Sequence, residues 1–188
     1  MKTAILSPHT DDAIFSLGDY MQSLDDVTIV TPFAGIPSDP TGMKKHITLR
    51  KEHESACDLL DVDYINGQFL DDVYTPRPEA EHVIAWLEPI LAKFDTIIAP
   101  IGIHHPDHIF LRNLLMEKFK IHRFYAELPY AVLYPDEVRK LKFLARVSLT
   151  HTIARHTERK RQAVMCYDSQ LQNNYILGQI LQPEEIYD

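Results

Sequence analysis

The sequence predicts a doubly wound, mostly parallel α/β sheet flanked by helices, Rossmann-like in layout, and three observations predict it. Short apolar runs alternate with longer amphipathic ones, the pattern of a parallel sheet wrapped by helices. Their order is β-α-β-α-β-α-β-α-β, and right-handed crossovers spread the first three strands one way from the first and the later ones the other. Two clusters of His and Asp directly follow two of the apolar runs, where such a sheet keeps its ligand crevice.

The elements follow in order. Residues 3–6 (TAIL) read as a buried strand and 13–24 as the helix after it. Residues 27–31 (VTIVT) form the second strand. Residues 33–42, with Pro37, Pro40 and two glycines, read as a mobile loop at its mouth. A helix over 43–60 leads to a short strand at 64–65 and an acidic turn at Asp71-Asp72. Pro76 and Pro78 open a helix over 79–94, with Trp86 on its buried face. Residues 96–101 and 123–127 are the last two strands, separated by a helix over 107–119. Beyond them, 156–172 reads as a polar helix and 182–188 as an acidic tail.

Composition narrows the function. A chain of 188 residues reads as one domain over 1–188, with an ordinary apolar fraction of 45%. Acidic residues outnumber basic ones, 27 to 19, and the net charge of −8 leaves no general footprint for nucleic acid or an anionic membrane. Cys57 and Cys166 have no CxxC spacing and read as buried free thiols. Without a signal pattern or a long apolar stretch, the expected compartment is the cytoplasm. The apolar segment 124–133 leaves homo-oligomer formation open.

The chemistry lies in the two polar clusters. The first, SPHTDDAIFSLG over 7–18, has His9-Thr10-Asp11-Asp12 where a dinucleotide binder would carry G-x-G, and two carboxylates there would repel a pyrophosphate. The second is His104-His105-Pro106-Asp107-His108, after the strand at 96–101. Either cluster alone could be a helix start, with Thr10, Asp11 and Asp12 capping one helix and Pro106-Asp107 opening the other. The mouths of adjacent strands bring both to one crevice, and two imidazoles with a carboxylate are a ligand set for catalytic zinc. His9, Asp12 and His108 supply that set, and Asp11 stands beside it as a base. The same ligands tolerate other divalent transition metals.

These residues resemble the PIG-L/LmbE-like zinc-dependent N-deacetylase family, whose motifs are written H-P-D-D-E and H-x-D-H. The resemblance implies zinc ligands at His9, Asp12 and His108, a general base at Asp11, a charge-stabilising histidine at His105 tuned by Asp107, and a substrate-orienting arginine at Arg50. Segments around 69–72, 124–130 and 160–170 stand in family-like order. Thr10 replaces the usual proline and Ala13 the usual glutamate. The implied activity is removal of an N-acetyl group from an amino sugar or sugar conjugate, with protonated His105 helping to hold the oxyanion. A metal-dependent hydratase or lyase, or a metal-binding protein without turnover, are the competing readings. A serine or cysteine hydrolase is weaker, because Ser7 and Ser16 lie in no G-x-S-x-G elbow.

Overall fold

The structure, a computed structural model, describes residues 1–74, 76–145, 147–171 and 174–188. Strand β1 (Lys2–Leu6) is followed by helix α1 (Asp12–Met21), β2 (Asp26–Thr31), α2 (Pro40–Leu60) and β3 (Asp63–Asn66). The chain then crosses to α3 (Ala80–Leu91), β4 (Thr96–Pro100), α4 (Pro106–Lys118) and β5 (Arg123–Tyr125). All five strands run parallel, β1 pairing with β2 on one side and β4 on the other. The order and direction are those expected from the sequence.

The core explains why these segments are strands. Along β1, Ala4 and Leu6 face one side and Ile5 the other. In β4, Ile97 and Ala99 alternate with Ile98 in the same way. Ile5 and Ile98 pack with Ile14, Leu17, Ala56 and Val164 on one face of the sheet. Ala4, Leu6, Ile97 and Ala99 pack with Val83, Leu87, Leu111 and Leu115 on the other. Both faces are covered, so the central strands place apolar residues on both.

The C-terminal part differs from expectation. After α5 (Tyr130–Leu133) and α6 (Pro135–Ala145), strand β6 (Leu149–Ile153) forms, and α7 (Glu158–Met165) and α8 (Asn174–Ile180) precede β7 (Glu184–Tyr187). The sheet order is β3-β2-β1-β4-β5-β7-β6, with β7 antiparallel to both neighbours. The expected acidic tail is therefore a sheet strand with buried Glu184, Ile186 and Tyr187. The expected polar helix is confined to α7, and its far end at Gln172 lies outside the described residues. The loop expected over 33–42 is shortened because α2 starts at Pro40, where Asp39 Oδ1 accepts from the Gly42 amide at 2.8 Å. Phe124 to Leu128 are buried, leaving Val132 and Leu133 as the exposed large aliphatics of the 124–133 segment. Cys57 is buried, but Cys166 is only half-buried.

Glu184 is buried because a break in α1 needs it. Leu17, with φ −136° and ψ 15°, interrupts the helix. A regular helix would bond the Asp19 amide to the Phe15 carbonyl. Here the Asp19 and Tyr20 amides donate to the two Glu184 oxygens at 2.9 Å each, and Lys160 Nζ donates to the Phe15 carbonyl at 2.9 Å. Lys160 and Glu184 close the circuit at 2.6 Å, both fully buried. A Cβ at Gly18 would stand 3.1 Å from the Lys160 stem, so the small residue lets that stem pass. Removing one partner of a buried pair strands the other charge. Lys160→Met is expected to cost about 3–5 kcal/mol in chemical denaturation; a loss under about 1 kcal/mol would show that the pair does not hold the break.

Candidate active site

Both polar clusters lie at the carboxyl ends of neighbouring strands, β1 and β4. After β1, Ser7 Oγ accepts from the Ala13 amide at 3.0 Å and donates to the His9 carbonyl at 2.5 Å. Asp12 Oδ2 accepts from the His9 amide at 2.8 Å. Asp11 holds the N-cap position but makes no side-chain cap bond, so its carboxylate is left for the pocket. The Tyr167 hydroxyl donates to the Thr10 carbonyl at 2.7 Å, and His53 Nδ1 lies 3.0 Å from the same hydroxyl. A phenol has one proton, so His53 is the donor of that second bond.

After β4 the chain turns sharply through Gly102 at φ +81° and His104 at φ 60°. Glu127, fully buried just past β5, fixes this turn. Its Oε1 accepts from the Gly102 and Ile103 amides at 2.8 and 3.0 Å and lies 3.2 Å from His108 Nδ1. Pro106 then opens α4, whose N-cap is the His105 ring, with Nδ1 accepting from the Asp107 amide at 3.2 Å.

The two loops bring three donor atoms together. His9 Nδ1, Asp12 Oδ2 and His108 Nε2 form a triangle with edges of 3.3, 3.2 and 3.4 Å. Ligands about 2.0–2.1 Å from a tetrahedral ion stand about 3.3 Å apart, so the triangle fits one face of such a coordination shell. The far nitrogens of both imidazoles meet carboxylates, His9 Nε2 on Asp107 Oδ2 at 3.1 Å and His108 Nδ1 on Glu127 Oε1. That pairing orients metal-binding histidines and raises their basicity. Among the described residues, three further His/Asp groupings able to hold a metal ion fall on or beside this place: His9–His105–His108, His9–Asp71–Asp107 and Asp71–Asp72–His105. A fourth, Asp19–His156–Glu184, belongs to the hydrogen-bonded brace around α1.

The electrostatics suit a cation. Burial opposes charge on both His9 and His108, yet Asp107 and Asp12 hold His9 well above the usual imidazole range, and Asp12 and Glu127 bring His108 to about 9. Burial pulls Asp12 upward, but the His108 and His9 charges hold it far below the carboxylate range. Asp11 goes the other way: burial, then Asp12, push it up to about 6. One group thus stays an anion beside the imidazoles, and the other is a carboxylate poised near neutrality.

The pocket over these groups, about 410 Å³, is lined by His9, Asp11, Asp12, Arg50, Asp71, His105 and Tyr130 among others. Arg50 reaches it, with Nε and Nη2 donating to the Ala34 and Gly67 carbonyls at 2.7 and 3.0 Å. Two details differ from the sequence expectation. The Asp107 carboxylate hydrogen-bonds the His9 ring and the Asp72 amide, while the carboxylate nearest the His105 ring is Asp72, at 3.7 Å. His105 is also neutral: burial, then the charges of His9 and His108, depress it to about 4, and its Nδ1 is already an acceptor.

Sequence reasoning did not single out Glu127, Asp71 or Arg77 as site residues. Arg77 Nη2 lies 3.4 Å from Asp107 Oδ1 and 3.8 Å from Asp72 Oδ2, and its guanidinium covers the Phe110 ring. The pair Asp71-Asp72 was visible as an acidic turn, and Glu127 as an acid ending an apolar strand.

A family model described as PIG-L, GlcNAc-PI de-N-acetylase, matches residues 4–119. No curated protein matches the chain significantly in sequence. Among solved structures, the zinc inhibited form of teicoplanin deacetylase is 21% identical with a TM-score of 0.74, over 100% of this chain and 97% of that one. The N,N'-diacetylchitobiose deacetylase of Pyrococcus horikoshii is 18% identical with a TM-score of 0.68, over 98% and 82%. The 4-carboxy-2-hydroxymuconate hydratase of Pseudomonas putida is 13% identical, also with a TM-score of 0.68, over 96% and 83%. At these identities the structures establish the shared fold.

The position of Glu127 can be tested directly. Glu127→Ala leaves two buried amides without an acceptor, at about 1–3 kcal/mol each, whereas Glu127→Gln keeps an acceptor oxygen. Chemical denaturation should therefore place the alanine variant at least about 1 kcal/mol below the glutamine variant. Equal stabilities would show that the amides find other partners.

Proposed function

This chain belongs to the PIG-L (GlcNAc-PI de-N-acetylase) family, and from that premise we propose that it is a zinc-dependent amidohydrolase. It removes the N-acetyl group from an amino sugar or sugar conjugate, as a single deacetylase domain over 1–188. The observation that carries this reading is the triangle of His9, Asp12 and His108 donor atoms, with the Asp11 carboxylate lining the same pocket. The proposed setting is the cytoplasm, supported by the two free thiols. No described helix is long and apolar enough to cross a membrane.

His9, Asp12 and His108 would hold the cation, and Asp107 and Glu127 would fix the two rings around it. Zinc, or another divalent ion accepted by these ligands, supplies Lewis acidity and lowers the pKa of water to about 7. Asp11, raised to about 6, is ionised at neutral pH and still basic enough to take the proton of the attacking water. His105, neutral with Nδ1 engaged, offers its Nε2 proton where charge develops on the carbonyl oxygen. Tyr130 lines the same pocket, and burial together with Asp12 and Asp11 keeps its hydroxyl protonated as a second donor. Asp11 then returns its proton to the departing amine, and the C–N bond breaks to give acetate and a free amine.

Metal analysis of protein purified without chelators is expected to find about one zinc per chain, lost in His108→Ala. Loaded protein is expected to release acetate from N-acetylglucosamine conjugates, with Asp11→Asn lowering kcat by about 10²–10⁴-fold. Zinc binding without acetate release, together with water addition to an unsaturated acid, would replace this reading with a hydratase. Protein that takes up no metal would remove it altogether.

A further inference from the structure

The pocket is lined by His9 and Asp12 of the proposed metal site with Asp11 and Asp71, and α2 contributes Lys45, His46, Leu49 and Arg50. His46 is only 6% exposed, with its ring edge-on to Tyr74 at 5.7 Å between centroids. Its Nε2 is buried and has no hydrogen-bond partner. A stranded buried nitrogen costs about 1–3 kcal/mol, a cost that is recovered when a bound molecule supplies the missing partner.

The neighbours of His46 indicate what that partner is. Burial, then the Lys45 charge, lower the His46 pKa. Among the described residues, neither Lys45 nor Arg50 has a carboxylate ion-pair partner, although the chain carries a net charge of −8. Arg50 is held in place by the Ala34 and Gly67 carbonyls, which leave its positive charge uncompensated. A hydroxyl would satisfy His46 alone, whereas an oxyanion accepts from His46 and also meets both cations. At His46 the Lys45 charge outweighs that of Asp71, whereas Asp11 and Asp12 in the proposed metal cluster repel an anion. The acyl group is therefore expected at that cluster and the anion at the α2 cations.

We propose that Lys45, His46 and Arg50 form a subsite for a carboxylate or phosphate carried on the amine portion of the substrate, so that the substrate class is N-acylated amines bearing an anionic group. This rests on the deacetylase reading of the pocket. His46 is the specificity residue, supplying the directed hydrogen bond, and Lys45 supplies charge from the exposed rim.

Calorimetry on the zinc-loaded Asp11→Asn variant tests this by binding, independent of turnover. The ligands are N-acetylglucosamine, N-acetylglucosamine 6-phosphate and N-acetylmuramic acid, the last two separating phosphate from carboxylate. At least one anionic ligand is expected to bind about tenfold or more tightly than the neutral sugar, the scale of one charge-assisted hydrogen bond. That preference should shrink in Lys45→Ala and His46→Phe, survive in His46→Gln, and fall with added salt. Equal affinities for the three ligands, no binding of either anion at millimolar concentration, or a preference unchanged by both substitutions would overturn the subsite. Acetate release by the unsubstituted protein is scored separately. Release without anion preference overturns this inference and leaves the deacetylase standing, and anion preference without release does the reverse.

Discussion

The site depends on one buried carboxylate. Glu127 Oε1 gathers the Gly102 and Ile103 amides and the far nitrogen of His108 at a single oxygen. A strand end cannot normally turn back on itself with buried amides unless something accepts from them. Here the acceptor comes from the neighbouring strand, so the β4–β5 pairing that builds the sheet also sets the loop carrying His105 and His108. The same oxygen orients the His108 ring, and the tilt of that ring decides whether its Nε2 completes the triangle with His9 and Asp12.

Charge balance explains the surroundings. Asp11, Asp12, Asp71, Asp72, Asp107 and Glu127 crowd around three histidines, and burying so many carboxylates is costly unless cations answer them. The His108 imidazole answers Asp12 and Glu127, and Asp107 meets His9 on one oxygen and Arg77 on the other. The high proton affinity of His9 and His108 is the mark of a place built for positive charge. Asp11 is the member left least compensated, which is why burial raises it while Asp12, one residue on, is driven down. Two adjacent aspartates thereby acquire two roles from their surroundings.

Much of this was legible in the sequence because it rests on local signals. The alternating faces of β1 and β4, the proline at the start of α4 and the paired clusters at two strand mouths need only short windows. What escaped needed long-range partners. Strand β6 is exposed along nearly its whole length and carries no inward-facing apolar pattern. Strand β7 begins with two glutamates and reads as a tail until Lys160 and the broken turn of α1 are known to require Glu184. Arg77 was invisible because it lies 30 residues from the Asp107 it meets. The family resemblance paired Asp107 with His105, and the Asp107 charge does reach that ring. Its carboxylate bonds to His9, because the turn through His104 at positive φ makes the His105 ring the cap of its own helix.

The same logic bears on the part of the chain outside the family match. The matched residues, 4–119, contain His9, Asp11, Asp12, Arg50, His105 and His108, yet they do not position them unaided. Glu127, Tyr130, Lys160, Tyr167 and Glu184 all lie beyond residue 119. Helix α1 begins at the loop carrying His9 and Asp11 and is braced at two points from the α7 region. Lys160 holds the break near Leu17, and Tyr167 holds the Thr10 carbonyl between the proposed ligand His9 and the proposed base Asp11. Without those partners the Thr10 and Phe15 carbonyls and the Gly102 and Ile103 amides would stand unpaired in the interior, each at about 1–3 kcal/mol, a sum comparable to the whole stability of a domain. The C-terminal segments, weak in sequence signal, are thus what makes the two well-marked motifs a single site.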